Sequence, residues 1–368
     1  MNRCTVCCLP DTKPDLEFVD GVCSACLSHA NRPKIDWDAR AYEFSRLLDQ
    51  HDGRCIVPSS GGKDSTAQVL KLLELGADVT IVTAATCYLT EIGRKNIENL
   101  SRYARTIEVT PKRSVRSKLN KIGLQMVGDI SWPEHCVIFN IPFKVAVAEK
   151  NPLVIYGENP QNQYGGPIGS DDAKQMSRRW VSEFGGFLGL RPVDMVGIEG
   201  ITAQDMADYM PPSEKDMLAT GVQAHFLGQY FEWDSLRNAE VAREHGMVCE
   251  LPCSANWWEI ENLDNALHGI HDHMMFRKYG YGRGCSQISV DVRNNRMTRK
   301  AAMRWIEHQD GLFPFVYMGV QFPEVLAYLG IKTSEFWDIC HKFTNYDLFD
   351  GATMHRPILK EFTCLPSA

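Results

Sequence analysis

The chain has 368 residues, 44% of them hydrophobic and 23% charged, and no apolar run of about 18 residues that could cross a bilayer. It is long enough for one large or two moderate cores plus a small appendage. A net charge of −7 and a pI near 5.9 disfavour a broad phosphate-backbone footprint, so neither membrane nor nucleic acid is expected as a partner. The start, Met1-Asn2-Arg3-Cys4, lacks the apolar stretch of a secretory signal, so a reducing cytoplasm is expected, where thirteen cysteines stay free or bind metal.

In chain order, residues 1–33 read as a cysteine-dense, turn-rich module, expected to be a zinc-binding ribbon, and 34–51 as an amphipathic helix leading away from it. Short apolar runs then alternate with helical stretches: a strand at Cys55–Pro58, a helix over about 64–75, a strand at Val79–Thr83, and a helix around 90–104. A strand at Thr106–Val109, helical segments to about 150, and a buried strand at Leu153–Tyr156 follow. This alternation predicts an α/β fold, a doubly wound parallel sheet, over 34–255. Residues 165–222 break the rhythm and are expected to be an insertion or substrate lid; His225-Phe226-Leu227 resumes it. Residues 256–368 are expected to form a mainly helical substrate or partner region, broken by glycines at 280–284.

Two motifs carry chemistry. Cys4, Cys7, Cys23 and Cys26 form a C-x2-C-x15-C-x2-C pattern, whose two knuckles can place four thiolates tetrahedrally around Zn²⁺. Such a closed site has no open coordination position, so a folding role is expected. Cys8 fits the two-residue gap less well. The second motif, Ser59-Ser60-Gly61-Gly62-Lys63-Asp64-Ser65-Thr66, lies between a strand and a helix start, where backbone N–H groups converge on a phosphate chain. It is not the ordinary P-loop, because Val57 and Asp64 stand where that motif requires Gly and Ser or Thr.

Ser60 to Ser65 instead resembles the pyrophosphate loop of the ATP pyrophosphatase (PP-loop) superfamily. The resemblance implies cleavage of ATP between the α and β phosphates, with Ser60, Gly61, Gly62 and Ser65 cradling pyrophosphate, Lys63 neutralising its charge and Asp64 helping to hold Mg²⁺. Thr83, ending the second strand, would lie beside adenine.

Glu158 and Asn159 follow a strand and should face the same crevice as the loop. Glu158 reads as a second Mg²⁺ ligand, a proton acceptor or a solvated carboxylate, and Asn159 and Gln161 as substrate contacts. His268 and His271 share a helical face, which suits a surface or substrate-facing pair better than a second metal. Lys278 and Arg283 read either as ligands of a phosphate or carboxylate or as surface charge. Cys136 and Cys285 read as buried apolar residues rather than nucleophiles.

Ordered matches along nearly the whole chain resemble the N-acetyl sugar amidotransferases of bacterial surface-polysaccharide and flagellin-glycan pathways. They include the paired cysteines, Ile35-Asp36-Trp37, the loop, Thr90–Arg94, Gly157–Gln161, Phe226–Phe231 with Trp233-Asp234, Leu263-Asp264-Asn265 and Gly269-Ile270-His271. The resemblance implies conversion of an acetamido group on a UDP-linked diacetamido uronic acid to an acetamidino group, with AMP and pyrophosphate released. Residue 2 is Asn2 and no cysteine lies in a nucleophile elbow, so ammonia is expected from a separate partner, which the resemblance implies to be a two-part glutaminase resembling the histidine-pathway pair. The alternative is a PP-loop tRNA thiolase, which joins the same loop to zinc-binding cysteines and uses sulfur.

Overall fold

Five runs rich in Val, Ile and Leu become five parallel strands because their side chains can be covered on both faces. They are β1 (Arg54–Pro58), β2 (Asp78–Ala84), β3 (Arg105–Val109), β4 (Leu153–Tyr156) and β5 (Gln223–Phe226), ordered β3-β2-β1-β4-β5. Register pairs Ile56 with Thr80 on one side and Val154 on the other, and Thr83 with Glu108. Chain direction across the sheet reverses between β1 and β4, so their carboxyl ends frame the crevice where open α/β sheets bind ligands. The computed structural model describes residues 1–86, 88–159, 165–167, 174–176, 180–181, 185–350 and 355–363.

Among the described residues, six helices precede β4. They are α1 (Ser24–Asn31), α2 (Trp37–Asp49), α3 (Lys63–Glu74), α4 (Glu91–Leu100), α5 (Arg113–Val127) and α6 (Trp132–Glu149). One face of the sheet packs Val57, Ile81 and Ile155 with Val69 and Leu72 of α3 and Phe44 of α2. The other packs Ile56, Val82 and Val154 against Val137, Ile141 and Val145 of α6. Each such buried aliphatic side chain contributes on the order of 1.5–3 kcal/mol relative to exposure.

The stretch expected to be an insertion or lid is divided. Met195, Met206 and Tyr209 are fully buried in the core beside α6, and a short helix, α7 (Glu214–Thr220), leads into β5, so this part covers the sheet. Gly165 to Pro167 instead lie at a cleft by the carboxyl edge. Helix α8 (Ser235–Glu244) then packs along α3, capped by Asp234, whose carboxylate accepts from the amides of Leu236 and Arg237.

The remaining described residues are mainly helical, as expected, with α9 (His268–Tyr279), α10 (Arg283–Arg293), α11 (Arg299–Gln309), α12 (Phe322–Leu329) and α13 (Thr333–Phe343) joined by irregular segments and a short hairpin at Val316–Tyr317 and Val320–Gln321. The cysteine module does not stand apart. Its four cysteines and Leu9 share a core with Tyr281, Ile288, Ala302 and Ile306 of the α10–α11 region.

Candidate active site at the carboxyl edge of the sheet

The loop between β1 and α3 is built for one backbone path. Gly61 has φ +78°, and a Cβ there would sit 2.6 Å from the amide nitrogen of Ile97 and 2.7 Å from the carbonyl carbon of Asn96 in α4, so both conformation and space demand glycine. Ser59 Oγ accepts from the Gly61 amide at 2.9 Å and donates to Ser65 Oγ at 2.9 Å, while Ser65 Oγ donates to the Gly62 carbonyl at 3.2 Å. Ser65 therefore fixes the loop rather than presenting a free hydroxyl, and Ser59 is a loop-shaping residue that sequence reasoning gave no role. Gly62 caps α3 in extended conformation, which leaves Lys63 and Asp64 in the first turn, at the positive end of the helix dipole.

Lys63 is only 4% exposed, and its ammonium is held by two carboxylates, Asp64 Oδ2 at 2.6 Å and Glu261 Oε1 at 3.0 Å. A buried ammonium demands such partners, because desolvation costs several kcal/mol per ion in rough terms. Asp64 is oriented from its other side by Asn238 Nδ2 of α8 at 2.9 Å, and Glu261 by Gln287 Nε2 of α10 at 3.0 Å. Glu158, on the loop after β4, joins the cluster electrostatically. Burial and the charges of Asp64 and Glu261 push its carboxyl up to about 7, against the pull of Lys63. Glu261 is held below its ordinary value despite its burial, because Lys63 and Arg283 favour the carboxylate. One lysine and three carboxylates thus meet where β1 and β4 end. Mg²⁺ is commonly held by one or two carboxylates plus phosphate oxygens, which this donor set can supply.

Two cavities flank the cluster. On the β2 side, Ser60, Gly62, Gly93 and Asn96 face Ile260, Asn262, Leu263 and Asp264 across about 30 Å³. On the β4–β5 side lies a cleft of about 800 Å³, whose walls include Glu158, Asn159, Trp233 and Arg293.

The remaining expected site residues divide. Asn159 is 2% exposed and lines the cleft. Gln161 lies outside the described residues. Thr83 does not end β2 but stands one residue before its last, Ala84, and its side chain is buried. His271 and Lys278 are gathered elsewhere: His271 Nδ1 lies 2.7 Å from Asp129 Oδ1, and Lys278 Nζ donates to the Val127 carbonyl at 3.3 Å. Burial works against the charge on His271, yet Asp129 outweighs it and holds the imidazole above its ordinary value. Both residues tie α9 to the corner between α5 and α6. Arg283 Nε reaches Asp272 Oδ1 at 3.3 Å and acts on Glu261 through charge, so it borders the cluster. Cys136 and Cys285 are fully buried, and burial pushes both thiols up, as expected of apolar rather than nucleophilic residues.

The four ribbon cysteines converge. Their sulfurs lie within 4.8 Å of one another, with Cys4–Cys26 at 3.8 Å and Cys7–Cys23 at 3.7 Å. A tetrahedron with Zn–S bonds of about 2.3 Å requires sulfur separations of about 3.8 Å, so the donor set fits Zn²⁺. The Cys23 amide donates to Cys4 Sγ, the Leu9 amide to Cys7 Sγ, and Arg299 Nε to the carbonyls of Cys4 and Cys7, all of which orient the ligands. Cys8 stands outside the quartet, as its spacing suggested.

No curated protein matches the chain. Residues 254–359 match the family model of LPS biosynthesis protein WbpG-like, C-terminal domain. Among solved structures, an NH3-dependent NAD synthetase from Campylobacter jejuni subsp. jejuni is 14% identical with a TM-score of 0.29, over 59% of this chain and 99% of that one. An NMN synthetase from Francisella tularensis is 14% identical with a TM-score of 0.27, over 60% of this chain and 99% of that one. Both scores are too low to bear on function. The chain thus joins a doubly wound parallel sheet, with a glycine loop after β1, to a stretch over residues 254–359 that is similar to the WbpG-like C-terminal domain family of LPS biosynthesis proteins.

Proposed function

We propose that this protein is an ATP-dependent amidotransferase of surface-glycan biosynthesis, converting an acetamido group of a UDP-linked diacetamido uronic acid to an acetamidino group. The observation that carries this reading is the meeting of Lys63, Asp64, Glu158 and Glu261 between the glycine loop and a cleft large enough for a second substrate. The match of residues 254–359 to an LPS-biosynthesis family supports the substrate class.

An amide carbonyl is a poor electrophile, and its oxygen is a poor leaving group. Attack of that oxygen on the α-phosphorus of ATP breaks the bond to the β-phosphate and releases pyrophosphate. Ammonia then adds to the imidate carbon, AMP departs with the former amide oxygen, and two protons are lost to leave the C=NH group. The loop amides and Lys63 stabilise the growing charge on pyrophosphate; for Lys63 this exchanges one anionic partner for another. Mg²⁺, held by Asp64 with Glu158 or Glu261, would neutralise phosphate oxygens. Glu158, whose carboxyl titrates near neutrality, is suited to accept a proton from the incoming nitrogen.

The test is mass analysis of the products formed from a UDP-linked 2,3-diacetamido uronic acid, ATP, Mg²⁺ and ammonium. Replacement of O by NH lowers the sugar mass by about one unit, with AMP and pyrophosphate in equal amounts, as displacement of an adenylate requires. Release of ADP, retention of labelled acetamido oxygen in the sugar, or turnover only with a sulfur donor would overturn the proposal.

A further inference from the structure

We infer that the cleft on the β4–β5 side is the binding site of a diphosphate-bearing second substrate, and that the cysteine ribbon forms one of its walls. This inference rests on the amidotransferase reading for the identity of that substrate, but its argument is geometric. The cleft, about 800 Å³, is bounded by His29 and Arg32 at the end of α1, Arg40 of α2, Trp233 after β5 and Arg293 of α10, with Glu158 and Asn159 beneath. Four basic side chains therefore face one space on a chain whose net charge is −7. Of the acids in its wall, Asp234 is engaged by two backbone amides and by Arg296, and Glu232 lies 3.5 Å from Arg237. The positive field is felt by His29, which is held below its ordinary value by burial and then by the charges of Arg293 and Arg32.

Two donors in this wall lack acceptors among the described residues: Arg40 Nη1 and Trp233 Nε1 are both buried and make no hydrogen bond. Buried donors left unmade cost about 1–3 kcal/mol each, so a site with two of them fits an acceptor-rich ligand. Arginine forks suit phosphate oxygens, which accept several N–H bonds at once. The Trp233 ring is also fixed in advance. A Cβ at Gly157 would lie 2.9 Å from it, and one at Gly228 3.2 Å from its Cβ, so the indole rests against the backbone where β4 and β5 end. A rigid aromatic platform beside a cationic wall suits a nucleotide diphosphate.

The sheet assigns ATP and this ligand to opposite sides of the catalytic cluster. The glycine loop opens toward α4, beyond β2, whereas the cleft opens beyond β4 and β5. Glu158 belongs both to the cleft wall and to the Lys63 cluster, so a group carried by the cleft ligand meets that cluster from the side away from the glycine-loop cavity. Ser24 Oγ donates to the Gly166 carbonyl at 2.7 Å and Lys13 Nζ to the Gly165 carbonyl at 3.1 Å. These bonds fasten the ribbon to the segment beyond β4.

The test is equilibrium binding of UDP and, separately, of ATP with Mg²⁺, to the zinc-loaded full chain and to Arg40→Ala and Arg32→Ala. Arg32 stands exposed just past the end of α1 and Arg40 is half-buried on α2, and zinc content and thermal unfolding check that each variant is folded. The expected result is at least a tenfold weaker Kd for UDP in each variant with the Kd for ATP unchanged. Unchanged UDP binding in both folded variants overturns the site, and weakened ATP binding instead assigns the cleft to ATP and overturns it equally. Binding is read without turnover, so loss of the amidotransferase reading leaves this measurement standing on its own.

Discussion

At the scale of single residues, the glycine loop announces Lys63 and Asp64 because the chemistry of a phosphate cradle requires those residue types in that order. Glu158 is legible from topology, since it follows a strand whose carboxyl end must face the crevice. Glu261 is not legible: it lies 198 residues from Lys63, in a segment without periodicity, and only the packing of α10, through Gln287, brings it to the ammonium. The contacts of His271 and Lys278 with the α5–α6 corner are illegible for a related reason, because charges on one helix face say nothing of the element that will cover them. The raised carboxyl of Glu158 gives a stability prediction with a definite sign. Its pKa rises from 4.5 to about 7 on folding. Between those values the unfolded chain releases the proton while the folded chain keeps it, so this group costs stability as pH rises, by at most about 1.4 kcal/mol per unit. Glu158→Gln should therefore gain thermal stability relative to the wild type as pH goes from 5 to 8 in nucleotide-free buffer, while losing most turnover. A stability difference independent of pH would show that Glu158 is an ordinary solvated carboxylate.

At the scale of elements, the alternation of strand and helix was readable because each β-run is short, apolar and bounded by turn residues. The boundaries at Lys63, Glu91 and Arg105 follow that pattern closely. The core role of part of the 165–222 stretch was not readable, since Met195, Met206 and Tyr209 are buried singly within irregular turns and leave no repeating signal. The ribbon was readable as a metal module but not as part of a wall, because cysteine spacing carries no information about what α1 will pack against. Its shared core with α10 and α11 couples metal to more than local folding. Removing one thiolate from a closed site forfeits much of a binding free energy that, in small zinc modules, is about 10–16 kcal/mol. Purified protein should hold about one Zn²⁺ per chain, and Cys23→Ser or Cys26→Ser should lose it, unfold at lower temperature and bind UDP more weakly. Metal analysis, thermal unfolding and UDP titration check these three outcomes, and full stability in a zinc-free variant would remove the ribbon's structural role.

At the scale of the whole molecule, the chain brings three separate stretches to one edge of the sheet: the glycine loop, the segment after β4, and the α8–α10 region, which overlaps the residues that match the WbpG-like family model. Among the described residues, no helix is long and apolar enough to cross a membrane. The proposed chemistry then raises the question of where nitrogen comes from. A glutaminase needs an activated nucleophile, and a thiol serves only as thiolate. Outside the ribbon quartet, burial pushes the thiols of Cys55, Cys136, Cys253, Cys285 and Cys340 upward, which makes each a poor nucleophile near neutral pH. An adenylated imidate exposed to water would meanwhile be lost to hydrolysis, so ammonia delivered through a shielded path from a glutaminase partner fits the reaction best. The isolated chain should therefore turn over with ammonium salts, with a rate that rises with pH as the free-base fraction grows, and should ignore glutamine until a two-part glutaminase is added. Assays at constant free ammonia would separate the supply of ammonia from the titration of Glu158. Vigorous glutamine-dependent turnover by the purified chain alone would place the nucleophile within this protein and refute the division of labour.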